Sequence, residues 1–240
     1  MASNLASPFN LGVHSASIVR MANLDTDCSP KQGTDNMFVT AGLVTLSGTP
    51  SIEEGTAIEP KTAAGDYGFR VKKKDRLKGY DLTGEFIFHD HEAMQMMFSG
   101  SLVLGKAGSA GVGKVIGHAM PNMDDGLPQV GVYLEVIQLV AYEDLGECAP
   151  VTTGPYAMGT IFGRATLRPG DSQFTEDASA VTFTGTALEN PNLFDGPWND
   201  WPGTVSIARS PKIEVFYTKA QYDVIAAAAR AGLQSGPTAS

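Results

Sequence analysis

Four groups of residues have the types and spacing to do chemistry. Gly108 to Lys114, GSAGVGK, has the spacing of a phosphate-binding loop, in which glycine amides cradle phosphates and the lysine reaches the terminal group. That chemistry also needs a Ser or Thr on magnesium and a helix behind the loop, but Val115 holds the first position and Gly117 and Pro121 interrupt the second. His89, Asp90, His91 and Glu92 put metal-capable side chains in a row, yet a helix capped by Asp90 accounts for the same letters, and zinc needs a converging set with an open position. The acid pairs Glu53 with Glu54, Asp124 with Asp125, and Glu143 with Asp144 are sequence neighbours, whereas a glycosidase places its two carboxyls on separated elements flanking the sugar. Trp198 and Trp201 share a turn-rich loop with Phe194, where they cap the core, dock on a neighbouring subunit or stack on a sugar.

No G-x-S-x-G elbow is present, and neither Cys28 nor Cys148 has a His partner by context. The pattern assigns no catalytic residue, no cofactor and no metal, so the expectation is a protein that is not an enzyme. Its acidity narrows the partners. A formal net charge of −9 and a pI near 4.8 repel a phosphate backbone, and the one basic cluster runs from Phe69 to Lys78, expected as the wet face of a strand pair. Two cysteines make no disulfide framework and are read as thiols in a reducing compartment. The first residues lack a basic and apolar leader, and no run approaches the ~18 apolar residues of a membrane span, which predicts a soluble protein without an export signal.

The elements that must carry these residues are mostly strands. With 42% hydrophobic residues the chain can bury a core, and 27 Gly with 14 Pro fit many short strands joined by turns. Tyr80, Leu82, Phe86 and Phe88 alternate with Asp81, Thr83 and Glu85 as a half-buried strand requires. A helix follows, with Asp90 as cap, Met94, Met97 and Phe98 as its apolar stripe and Gly100 as its stop. In QVGVYLEVIQLVAY, from Gln129 to Tyr142, Val130, Val132, Leu134 and Val136 oppose Tyr133, Ile137 and Leu139, which predicts a central strand covered on both faces. Ala157 to Leu167 is its expected partner. Further strands are expected over Ser15 to Met21, Met37 to Ser47 with a bulge at Gly42, Ala180 to Ala187, Val205 to Ala208 and Ile213 to Tyr217. Gly100 to Gly117 suggests a hairpin, Ile52 to Gly68 an exposed excursion, and Thr218 caps a last helix with Tyr222, Ile225, Ala226, Ala229 and Leu233 on one face. The whole is a single domain of about eight strands and two helices, preceded by an apolar arm over residues 1–14 and followed by a flexible tail over 235–240.

Three stretches in order, AGLVTLSGTPSIEEGT from Ala41, YDLTGEFIFHDHEAMQMMFSG from Tyr80 and TLRPGDSQFTEDASAVTFTGTALENPNLFDGPWNDWPG from Thr166, resemble the major tail tube proteins of long flexible-tailed bacteriophages, those of actinobacteria especially. The resemblance implies a mainly β, antiparallel β-sandwich that contributes strands to a barrel, with a flanking helix and a C-terminal helix. It further implies homo-hexameric rings stacked into a tube, with tape measure, tail tip and tail terminator proteins as partners. Viral DNA passes the lumen without specific binding, no membrane is involved, and assembly occurs in the host cytoplasm before the protein resides in the virion tail. On this reading Glu85, Glu135 and Glu143 are candidate lumen-facing acids, since like charge lets DNA slide. Leu5, Phe9, Leu11, Trp198 and Trp201 are candidate inter-subunit contacts, and the arm and the Ile52 to Gly68 excursion are expected to order on assembly. The alternative is a β-sandwich carbohydrate-binding or adhesion module with the two tryptophans as its stacking platform.

Overall fold

A computed structural model describes residues 11–33, 36–59, 71–86, 91–108, 111–121, 130–142, 156–171, 180–193, 196–198 and 210–230. The fold is mainly β, with 57% of the described residues in strands and 13% in helices, so strand pairing carries the architecture. The strands are β1 (Leu11–Asn23), β2 (Met37–Thr40), β3 (Leu43–Glu53), β4 (Ala57–Ile58), β5 (Val71–Lys72), β6 (Arg76–Phe86), β7 (Ser101–Leu104), β8 (Val115–Ala119), β9 (Val132–Tyr142), β10 (Ala157–Pro169), β11 (Val181–Leu188) and β12 (Ile213–Tyr217). Two helices, α1 (His91–Phe98) and α2 (Lys219–Arg230), complete the described elements.

One antiparallel sheet runs β2-β1-β9-β10-β11-β6-β3, and β12 pairs with the first part of β10. β10 is the hinge of the arrangement. Its residues 157–161 pair with β9 and β12, a register shift follows between Phe162 and Ala165, and residues 164–169 pair with β11. β2 and β3 lie at opposite ends of the strand order although only Ala41 and Gly42 separate them in sequence. The three Cα–Cα steps from Thr40 to Leu43 span at most ~11 Å, so the sheet must roll until its ends meet at that corner. The single strand expected from Met37 to Ser47 is therefore two strands, and Gly42 is the corner between them rather than a bulge within one.

Inside the roll lies the first core, where Val19 and Met21 of β1, Val132, Leu134 and Val136 of β9 and Phe162 of β10 meet Leu82 and Phe86 of β6 and Phe183 of β11. Phe86 stacks on Phe183 at 5.4 Å. Opposite Phe183 in the register stands Gly84, whose Cβ would lie 2.3 Å from the phenyl ring, so the ring occupies the space a side chain would need. α1 closes this core with Ala93, Met96, Met97 and Phe98, and stops as expected where Ser99 and Gly100 take positive φ angles of 62° and 99°.

The second core covers the outer face of β2, β1, β9, β10 and β12. Ile18, Tyr133, Ile137 and Ile161 pack there beneath Trp198, Tyr217 and the α2 residues Ile225 and Ala226. β9 is thus covered on both faces, as its alternation predicts, although Val130 packs with the second core and not with Val132. α2 starts as its sequence requires: the Thr218 amide donates to Gln221 Oε1 at 3.0 Å and the Gln221 amide to Thr218 Oγ1 at 3.4 Å, a reciprocal cap. The expected strand over Val205 to Ala208, and the ends of the chain at 1–10 and 231–240, lie outside the described residues.

Candidate functional site

β3, β6 and β11 present their second face to solvent. The register aligns Thr45, Glu85 and Thr182, then Ser47, Thr83 and Thr184, then Thr49, Asp81 and Thr186, in three rows across three strands. Period-two alternation puts them opposite the buried Leu82, Phe86, Phe183 and Ala187, and all but Glu85 and Thr182, which are half-buried, are exposed. These nine outward positions hold six Thr, one Ser and two carboxylates, with neither a cation nor a large apolar group. On β10, Thr166 continues the Thr186 row and the exposed Arg168 continues the Thr184 row. The nine positions of β3, β6 and β11 thus form a hydrated surface of hydroxyls and carboxylates, with Arg168 as the cation beside it, and such a surface gives a polyanion few cations to replace its counterions.

Beside this face the sheet ends on β3, whose far edge pairs with no described strand. An eleven-residue edge is long for a protein to leave open, since short length, charge, Pro and bulges are the usual protections. β3 has Pro50, register shifts near both ends and one charge, Glu53. Thr45 to Thr49 is left as plain, uncharged edge.

Beyond Tyr80, where its pairing with β11 ends, β6 continues with β3 as a two-stranded ribbon, with Ile52 opposite Leu77 and Glu53 opposite Arg76. β4 and β5 extend it outward, with Ile58 opposite Val71, while the Gly55 amide donates to Asp75 at 2.8 Å. That bond, more than Lys72 beside it, holds the Asp75 carboxyl below its usual range. β7 and β8 form a second projecting pair. Of thirteen exposed large apolar residues among the described residues, nine lie on the ribbon or on this hairpin and its flanks, so the exposed apolar surface described is concentrated on these two projections.

Titratable groups converge in the second core. Arg20 of β1 and Glu135 of β9 are direct cross-strand partners, exposed by only 1% and 0%. Arg20 Nε donates to Glu135 Oε2 at 2.8 Å, and its Nη2 lies 2.7 Å from the same oxygen and donates to Tyr217 OH at 2.9 Å. Tyr217 OH donates to Glu135 Oε1 at 2.6 Å, Tyr133 OH donates to Oε2 at 3.0 Å, and the Trp198 ring covers the guanidinium at 4.5 Å. Gly159 gives the network its room, since a Cβ there would stand 2.5 Å from Glu135 Oε1. Both carboxylate oxygens are engaged and enclosed, which makes the group a structural clamp between β1, β9 and β12 and gives it no face toward a substrate.

Several expected sites change accordingly. Glu135 does not face a lumen, because β9 is covered on both sides and its carboxylate is held by Arg20 within the subunit. Trp198 is 7% exposed against its own Arg20 and Tyr133, so its place is in the subunit core and not at a subunit contact. Leu11 begins β1 opposite Tyr142, and residues 11–14 belong to the sheet rather than to an arm. Glu85 lies on the hydroxyl face. Glu143, Leu5, Phe9 and Trp201 lie outside the described residues.

The glycine run around Gly108 turns the β7–β8 hairpin, closed by Gly105 donating to Lys114 and Gly113 donating to Gly105, with no helix behind it. Among the described residues no three His, Cys, Asp or Glu side chains gather as a metal site, and no helix is long and apolar enough to cross a membrane. Arg20, Tyr217 and Asn190 are the residues that sequence reasoning missed. Asn190 is buried, donates to the carbonyls of Cys28 and Gly163 at 2.8 Å each, and accepts from the Asn192 amide, fixing the turn after β11. A lone charge inside each of two apolar strand runs, Arg20 and Glu135, was the available signal. In comparison with known proteins, no family model and no curated sequence matches the chain.

Proposed function

We propose that the chain is the subunit of a phage tail tube, assembling as stacked hexameric rings around a lumen through which DNA passes. The observation that carries this reading is the juxtaposition on one sheet of an open β3 edge and a face of hydroxyls and carboxylates whose positions on β3, β6 and β11 hold no cation. Pairing of the edge with a neighbouring copy removes the exposed donors and acceptors of β3 and extends the face around a ring. Glu85 and Asp81 then line the lumen, in place of Glu135. The sequence resemblance over three ordered stretches supplies the hexamer and the stacking, and the two projecting strand pairs supply apolar contact surface between copies. The carbohydrate-binding alternative is weakened because Trp198, half of its platform, is occupied by Arg20.

Negative-stain electron microscopy of the concentrated protein tests the proposal. Hollow tubes with a regular axial ring repeat are expected; a monomer that keeps one size across all concentrations, with tryptophan fluorescence that responds to sugars, would overturn it.

A further inference from the structure

Charge is divided along β6 with unusual sharpness. Residues 70–78 hold six of the seventeen Lys and Arg residues against one acid, Asp75. The chain then has no Lys or Arg from residue 79 to 105, which contains four acids, and none from 169 to 208, which contains six. Residues 80–86 of β6, the part that pairs with β11, belong to the first of these stretches, and β11 belongs to the second. The sheet therefore runs from a basic ribbon at one end to an acidic end about 20 Å away, taking ~3.4 Å per residue from Gly79 to Glu85.

At the ribbon, Lys72, Lys73, Lys74, Arg76 and Lys78 are all exposed. Two ion pairs there, Lys72 with Asp75 at 3.5 Å and Lys78 with Glu53 at 3.7 Å, are between side chains more than half exposed, and such pairs hold their partners weakly. The same ribbon carries the exposed pairs Ile52 with Leu77 and Ile58 with Val71. At the far end Glu85 is the register partner of Thr182, whose hydroxyl donates to the Asp171 carbonyl at 2.7 Å, so both acids border one residue.

We infer that the basic ribbon of one copy docks on the acidic end of the β6–β11 pair of a second copy, around Glu85 and Asp171, as a head-to-tail contact. The occupant is a second copy because this chain carries both complementary charges on opposite ends of one sheet, the arrangement that makes a heterologous contact repeat. Nucleic acid is the other polyanion a basic ribbon attracts, but the remaining residues, with eleven Lys and Arg against twenty-five acids, repel it. The inference rests on the chain being a self-assembling subunit, and not on its assembly being hollow or hexameric.

The test is sedimentation velocity of the full chain and two charge-reversed forms, one with Lys73→Glu, Lys74→Glu and Arg76→Glu, the other with Glu85→Lys and Asp171→Lys. Wild-type protein should associate at about 0.05 M salt and dissociate toward 0.5 M, as screening shortens the range of the charges. Each reversed form alone should need at least tenfold more protein to associate, and an equimolar mixture of the two should recover the wild-type value. The altered side chains are exposed apart from the half-buried Glu85, and unchanged circular dichroism and melting temperature separate lost docking from lost folding. Association that resists salt and the ribbon reversal, or a ribbon whose reversal abolishes only binding of a 30-base-pair DNA duplex, would overturn the inference. Head-to-tail strings without a lumen would retain it and sink the tube reading, whereas hollow tubes indifferent to the reversals would do the opposite.

Discussion

The two halves of the rolled sheet solve opposite problems. β1, β9 and the first part of β10 are covered on both faces, and the charges they enclose, Arg20 and Glu135, satisfy each other. β3, β6 and β11 cover one face only, end on a strand whose far edge pairs with no described strand, and run out into a ribbon whose apolar and basic side chains are exposed. The first half is complete in one chain; under the proposed function, the second is finished by another copy. Stability should therefore reside in the closed half and assembly in the open one.

Two substitutions probe that division, beginning with the larger effect. Glu135→Ala leaves Arg20 buried without its carboxylate and should destabilise the subunit by about 3–5 kcal/mol, read as the change in urea midpoint at constant slope. A loss under 1 kcal/mol would mean that the closed half does not depend on its clamp. On the open half, Thr184→Val keeps a β-branched side chain on the exposed face and should change stability by no more than about 0.5 kcal/mol. A larger loss would show that this face is packed, contrary to its exposure.

The alternation of β6 and β9, the stop of α1 at Gly100 and the cap of α2 at Thr218 are local signals, and each was legible in the sequence because its cause lies within a few residues. The separation of β2 from β3 was not, since it depends on the sheet's rolling far enough to bring its two ends to Ala41 and Gly42. Glu135 was misassigned for a related reason. Its strand was correctly read as covered on both sides, and an acid in such a strand demands a buried cation; that cation is 115 residues away in sequence, on a strand whose neighbour the pattern could not name. Glu85 had no such requirement, because one face of β6 is wet and alternation alone places it there. The hydroxyl face is likewise legible in the sequence only in pieces, such as Asp81, Thr83 and Glu85 on one strand, and it becomes a surface once register sets Thr182, Thr184, Thr186 and Ser47 beside them.

Hydrogen exchange of the backbone amides, read residue by residue in dispersed and in assembled protein, tests most directly the claim that one half is closed and the other unfinished. β9 amides should be strongly protected in both states, while edge-facing amides between Thr45 and Thr49 of β3 should exchange rapidly in the dispersed chain and become protected on assembly. Edge amides that are already slow in the dispersed chain, or that stay fast in the assembly, would contradict the account.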